Sequence, residues 1–204
     1  MRITGGLARG IPLHLPKGDA VRPATDAMRQ AVFSSLAARV PGAFFLDLFA
    51  GSGGYGLEAL SRGAAGGVFV EKHAKTAAFI RQNLSAVCKS LERNESGVCV
   101  VAADATTATF PVGAFGPDRG GVSAAPDLVF IDPPYPLIRE LAPVLFARLD
   151  LLLASHPDPV VVFEMPGEIE LRPAGWTCVK RLGKGSRQPT ANFFRPTRAL
   201  PAPA

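Results

Sequence analysis

Apolar residues change their spacing along this chain, and the changes mark out its elements. Phe44-Phe45-Leu46, Val68-Phe69-Val70, Val98 to Ala102, Leu128-Val129-Phe130-Ile131 and Val160-Val161-Val162-Phe163 are short, nearly unbroken apolar runs. Such runs fit strands covered on both faces. The intervening stretches Leu57 to Leu60, Ala74 to Leu91 (through Phe79, Ile80, Leu84, Val87 and Leu91) and Leu137 to Leu153 carry helical spacing. Strands of this kind alternating with amphipathic helices call for a mostly parallel sheet with helices on both sides, a doubly wound α/β domain.

Ahead of this pattern, Arg2 to Gly6 and Ile11 to Leu15 read as two short strands around a glycine-rich turn. A helix follows, with Thr25 as its N-cap, Met28, Val32, Phe33, Leu36 and Val40 on its apolar face, and Pro41-Gly42 as its stop. Residues 111–126, rich in Gly, Pro and Ala, read as a surface loop, and residues 199–204 as a disordered tail. The expected division is residues 1–41 as an N-terminal hairpin and helix, and residues 42–198 as the main domain.

A length of 204 residues with 48% hydrophobic content suits one core of ordinary size. The opening residues break any apolar run early, and no stretch approaches the roughly 20 apolar residues of a membrane span, so a cytoplasmic protein is expected. Cys88, Cys99 and Cys178 lack close pairing and read as reduced, small core residues. His14, His73 and His156 lie on different elements, without an acid partner at ligand spacing, and read as surface or loop residues with no metal.

The net charge of +5 is unevenly spread: +3 over residues 1–30, −5 over residues 31–170 and +7 after Glu170. A mildly acidic middle between two basic ends points to a polyanion held by the termini. Solvated surface charge gives the same totals.

The chemistry lies at strand ends. Asp47-Leu48-Phe49-Ala50-Gly51-Ser52-Gly53-Gly54-Tyr55-Gly56 follows the first core strand, and Gly51, Gly53 and Gly56 satisfy G-x-G-x-x-G with Glu71 about 20 residues on. That pattern alone permits a dinucleotide, whose ribose hydroxyls the acid would hold. Asp47, however, sets a carboxylate close to where a pyrophosphate would lie. S-adenosylmethionine has no phosphate but carries an ammonium and a sulfonium, and a carboxylate suits the ammonium. Asp104, next to Ala105 past the third strand, offers an acceptor for an adenine amine. Any one of these acids could instead be an N-cap. Three of them at successive strand ends fit a cationic cofactor. Ser52 lacks the surroundings of a nucleophile elbow.

Asp132-Pro133-Pro134-Tyr135 closes the fourth strand. An amine conjugated to a nucleobase is a poor nucleophile, because its lone pair is delocalised into the ring. Hydrogen bonds from its N–H groups to Asp132 and to the Pro133 carbonyl would fix the amine and favour a pyramidal nitrogen, with its lone pair aimed at a methyl donor. Pro134 stiffens the turn, and Tyr135 can stack on the base. A base within a duplex would have to be flipped out to reach such a site.

With these residues the chain resembles the bacterial small-subunit ribosomal RNA guanine-N2 methyltransferases of the D type. The resemblance rests on Arg2-Ile3, Gly5 and Arg9-Gly10; on Arg22-Pro23-Ala24-Thr25-Asp26 with Arg29 and Phe33; on Leu46 to Gly53, Gly56 to Ala64 and Phe69-Val70-Glu71; and on Asp132 to Tyr135. It implies a seven-stranded class I S-adenosylmethionine-dependent fold whose last strand is antiparallel, with Thr177 to Arg181 and Ala191 to Arg195 as the final strands. It further implies Asp47, Phe49, Ala50, Gly51, Ser52, Gly53, Glu71, Asp104 and Ala105 at the cofactor. Arg2, Arg9, Arg22 and Arg29 are expected at the RNA, although Arg22 and Arg29 could instead pair with Asp19 and Asp26. The implied substrate is 16S rRNA in a small subunit or an assembly intermediate, and nothing in the sequence demands more than a monomer. Ile11 stands where the family more often has arginine, and the region after Gly183 matches loosely. The Asp-Pro-Pro-Tyr loop is shared with DNA adenine-N6 methyltransferases, which usually carry a sizeable target-recognition insertion. A catalytically silent nucleic-acid binding protein is the remaining alternative.

Overall fold

The computed structural model describes residues 1–15, 26–117, 124–186 and 188–197. Thr25 and the tail at 199–204 lie outside the described residues. Seven strands, β1 (Phe44–Leu48), β2 (Gly66–Glu71), β3 (Val98–Ala102), β4 (Leu128–Ile131), β5 (Val160–Pro166), β6 (Trp176–Leu182) and β7 (Pro189–Pro196), form one sheet in the order β3-β2-β1-β4-β5-β7-β6. β1 to β5 run parallel, and β7 runs antiparallel between β5 and β6. The strand order reverses between β1 and β4, and a crevice outside the carboxyl ends at such a switch point is where open α/β sheets bind ligands.

The seven strands expected of the sheet are present, and the apolar runs explain their position. β2, β4 and β5 are buried along their whole length. β3 and β6, at the two edges, are only partly covered. β6 also breaks register between Cys178 and Lys180, a bulge of the kind that disturbs edge pairing. Cys178 is exposed there, unlike the core residue expected, because it lies on this uncovered edge.

Helices α1 (Asp26–Ser35), α2 (Gly54–Ser61) and α3 (Ala74–Ser90) cover one face. α4 (Ile138–Leu152) covers the other with residues of the β3–β4 connection. That connection is more than a surface loop. Ala114 and Phe115 are buried, and Phe115 meets Phe110 edge-on at 5.6 Å, so this segment covers sheet where a helix would otherwise lie.

The N-terminal segment forms a single antiparallel bridge, Arg2 to Pro12, rather than two full strands. It is held by Ile3 N–H to the Ile11 carbonyl (3.0 Å) and Gly10 N–H to the Ile3 carbonyl (2.9 Å). Ile3, Ala8 and Leu13, with Val32, Phe33, Leu36 and Val40, enter the same apolar cluster as Phe45, Phe69 and Phe130. Residues of the 1–41 segment therefore share a core with the sheet.

His156 is not a loop histidine without an acid partner. Its side chain is largely buried near the amino ends of the strands, where Nε2 meets Asp127 Oδ1 at 3.0 Å. Asp127 also accepts the Phe44 N–H at 2.8 Å, so its carboxylate ties the start of β1 to His156. Among the described residues, no helix is long and apolar enough to cross a membrane.

Candidate active site

The turn after β1 needs left-handed backbone at three places. Phe49 (φ 59°), Gly51 (φ 55°) and Gly53 (φ 89°) all adopt it, and only the glycines do so without a Cβ penalty. Gly56 serves differently. A Cβ there would lie 2.3 Å from Phe69 and 2.5 Å from Phe45, so its bareness lets α2 approach the sheet. Ala50 N–H bonds the Val70 carbonyl at 3.0 Å, which holds the turn against β2. Asn83 of α3 bonds the Ser52 carbonyl at 3.0 Å and, through its amide oxygen, the His14 N–H at 2.8 Å. One side chain thus supports both the glycine turn and the N-terminal segment.

Two of the acids named from sequence, Asp47 and Glu71, meet at this turn. Asp47, at the carboxyl end of β1, accepts the Gly56 N–H at 2.9 Å. Glu71, at the end of β2, accepts the N–H groups of Gly51 (3.0 Å) and His73 (2.8 Å), and so bridges the turn to the start of α3. Burial pushes the Asp47 carboxyl up to about 8; the Gly56 bond opposes the rise and Glu71 adds to it. A cation seated beside Asp47 would restore its ionised form. The donor set therefore fits the ammonium of S-adenosylmethionine better than it fits a pyrophosphate.

Asp104 stands apart from these two. Thr106 N–H (2.9 Å) and hydroxyl (2.6 Å) both donate to its Oδ1, and Lys72 Nζ lies 2.9 Å from its Oδ2. The Thr106 bonds, with Lys72 assisting, hold its carboxyl down at about 2. Asp104 also caps a turn, its carbonyl accepting the N–H groups of Thr107 and Ala108, and Ala105 is buried behind it.

At β4, Asp132 is half-buried, Pro133 buried and Pro134 exposed, and Tyr135 begins a short 3-10 turn into α4. Register brings a residue that sequence reading missed to the side of Asp132. Ile131 pairs with Phe163 on β5, so the next positions along, Asp132 and Glu164, run side by side. Glu164 is buried and accepts the Tyr55 hydroxyl at 2.7 Å. The Tyr135 hydroxyl bonds the same carboxylate. Tyr55 in turn stacks on Phe130 at 5.1 Å. Burial, then Glu164 and Asp47, push the Asp132 carboxyl well above the usual carboxylate range. The one signal in the sequence was a lone acid ending the apolar run Val160 to Phe163.

Of the arginines expected at RNA, Arg2 and Arg9 are exposed on the N-terminal segment. Arg22 lies outside the described residues. Arg29 is a correction: its side chain is 0% exposed, with Nε 3.3 Å from Glu58 Oε2 and Nη2 bonded to Asp26 and to the Arg2 carbonyl. A guanidinium walled in this way cannot reach a nucleic acid. Glu58, also missed, accepts from Thr4 N–H (2.8 Å), Thr4 hydroxyl (2.7 Å) and Arg62 Nε (2.9 Å) as well. A buried acid on the apolar stripe of α2 required such partners.

The chain is similar to known proteins over most of its length. The family described as Conserved hypothetical protein 95 matches residues 1–191. YlbH of Bacillus subtilis (strain 168) is 32% identical over 179 residues, 84% of this chain and 85% of its own length. Ribosomal RNA small subunit methyltransferase D of Haemophilus influenzae is 28% identical over 191 residues, 91% of this chain and 89% of its own. The solved structure of yhhF from Escherichia coli superposes with a TM-score of 0.75 at 28% identity, covering 96% of this chain and 97% of that one. The chain belongs to the Conserved hypothetical protein 95 family, the D-type small-subunit rRNA methyltransferase family, and has its class I methyltransferase fold.

Proposed function

We propose that this protein methylates the N2 amine of one guanine in small-subunit (16S) rRNA, with S-adenosylmethionine as methyl donor. The observation that carries the reading is the placement of Asp132 to Tyr135 at the sheet's switch point, beside the buried Asp47 and the glycine turn. When bound, the cofactor supplies an electrophilic methyl on a positively charged sulfur that leaves with the bonding electron pair. Asp47 would hold its ammonium, Glu71 its ribose hydroxyls and Asp104 with Ala105 its adenine, along the turn from Phe49 through Ala50, Gly51 and Ser52 to Gly53. Asp132 and the Pro133 carbonyl would accept the two N–H groups of the target amine, which fixes the nitrogen and aims its lone pair. On gaining the methyl the nitrogen must release one proton, and Asp132 would receive it. Tyr135 would stack on the base.

Arg2 and Arg9, with Arg22 and the basic residues after Glu170, would grip the phosphate backbone of the rRNA, free or in an assembling subunit. A cytoplasmic monomer needing no metal is the simplest agent of this chemistry. The deciding experiment is transfer of labelled methyl from S-adenosylmethionine to small ribosomal subunits, to free 16S rRNA and to DNA, followed by nucleoside analysis. Labelled N2-methylguanosine is the expected product. N6-methyladenine in DNA would replace the reading with the DNA-modifying one. Cofactor binding without transfer to any substrate would leave a silent nucleic-acid binder.

A further inference from the structure

Glu164 has more holding it in place than a strand acid needs. It is buried on the face of the sheet that carries Asp47, and it receives the hydroxyls of two tyrosines from different elements, Tyr55 of α2 and Tyr135 of the catalytic loop. Continuation of the β4–β5 register sets it beside Asp132, at roughly the 4.8 Å spacing of neighbouring strands. Tyr55 is itself fixed by stacking on Phe130 and by tilted contact with Phe33 at 6.3 Å. A buried carboxylate so gripped holds two neighbours in return: the Tyr135 ring, tethered by its hydroxyl, and the charge state of Asp132.

We propose that Glu164 is a positioning residue of the reaction: its carboxylate anchors the Tyr135 ring over the target base and, as a fixed negative neighbour, makes Asp132 a stronger acceptor for the proton the amine releases. This rests on the methyltransferase reading above. The proton balance is complete within the site: the amine gives one N–H proton to Asp132 as it gains the methyl, and the proton passes to solvent afterwards, since Asp132 keeps partial access to water. Burial raises the proton affinity of Glu164, while the two tyrosines and then Arg29 lower it. Asp132 is faced by Glu164 on β5, by Asp47 on β1 and by Tyr55 on α2. Arg29 of α1 acts on Glu164 and Tyr55 from behind. Two acids thus press on Asp132: Asp47, which accepts the Gly56 N–H, and Glu164, which accepts the Tyr55 hydroxyl.

The test is Glu164→Gln, an isostere that keeps an acceptor for a tyrosine hydroxyl and removes the charge. In the full chain without substrate, carboxyl ¹³C NMR should show the Asp132 titration midpoint falling by about one pH unit or more, the size expected for loss of a like charge at this range. In single-turnover assays on small subunits, the plateau rate should fall about tenfold or more. The acid limb of the pH profile should move to lower pH, and cofactor affinity should stay within about twofold. Tyr55→Phe, which removes one hydroxyl from Glu164 without altering charge, should lower the rate and leave the cofactor affinity in place. An Asp132 midpoint unmoved in Glu164→Gln would overturn the proposal, as would a plateau and acid limb equal to wild type. Failure of the wild-type protein to methylate rRNA would instead sink the functional reading, and the NMR titration would still decide the part played by Glu164.

Discussion

Arg29 Nε and Glu58 Oε2 face each other at 3.3 Å, and neither side chain touches solvent. The pair joins α1 to α2, and Glu58 extends the link to Thr4 while Arg29 extends it to the Arg2 carbonyl. Among the described residues Arg29 Nη1 is buried with no hydrogen-bond partner, so the guanidinium sits there at some cost. Arg29→Ala leaves Glu58 with Arg62 alone as its ionic partner and should destabilise the protein by about 3 kcal/mol, the lower end for breaking a buried pair. Urea unfolding measures it. A variant of wild-type stability with weakened RNA binding would return Arg29 to the nucleic-acid surface.

Asp47 makes the unliganded protein pH-sensitive. Its folded-state proton affinity, at about 8, lies above the ordinary aspartate value, so the folded protein holds a proton that the unfolded chain has lost. Stability should therefore fall as pH rises from about 4 towards 8. Asp47→Asn, which keeps an acceptor for Gly56 N–H, should flatten that fall and unfold at a higher temperature than wild type at pH 8 without cofactor. Calorimetry at pH 5 and pH 8 checks it. Cofactor binding at pH 7 should also release protons, detected as a buffer-dependent binding enthalpy that Asp47→Asn abolishes.

Asp132→Ala should abolish methyl transfer while cofactor affinity changes little, because the proposed function gives Asp132 the target amine and Asp47 the cofactor ammonium. Single-turnover transfer and equilibrium binding separate the two effects. Near wild-type turnover would refute the assigned role.

Gly56→Ala would drive a methyl into Phe69 and Phe45, two rings already in edge contact with each other. The expected loss is about 1–3 kcal/mol, with a reduced fraction of protein able to bind cofactor. Thermal unfolding with and without S-adenosylhomocysteine would show both.

RNA affinity should weaken steeply as salt is raised, and Arg9→Ala should reduce the slope of log affinity against log salt by about one ion while weakening binding to all sequences alike. Filter binding across a salt series reads this directly. An unchanged slope would take Arg9 off the phosphate backbone.

The order and type of the elements were legible because the parallel strands had to be apolar on both faces, and Val160 to Phe163 or Leu128 to Ile131 admit no other reading. Asp47, Glu71 and the Asp132 loop were legible for a related reason: polar residues that follow such runs fall at strand ends. Glu58 and Glu164 were not, because a charge inside an apolar stripe has meaning only through partners far along the chain. For Glu164 and Tyr55 that separation is 109 positions. Arg29 was misread for the same cause. Its neighbour Asp26 was visible in sequence, but Glu58 and the Arg2 carbonyl were not. The β3–β4 connection looked like surface because its composition hid two residues, Ala114 and Phe115, that the sheet needed as cover.

The bonds of the N-terminal segment also bear on how the protein is made. Thr4 finds Glu58 54 positions later and His14 finds Asn83 69 positions later, so residues 1–15 cannot dock until α2 and α3 have left the ribosome. Until then the nascent chain must carry Ile3, Ala8 and Leu13 uncovered, while the early strands have yet to meet β4. Long-range closure of this kind slows folding and prolongs exposure of apolar surface. An enzyme of ribosomal RNA built this way would itself be a slow product of the ribosome, completed when residues 1–15 return to α2 and α3.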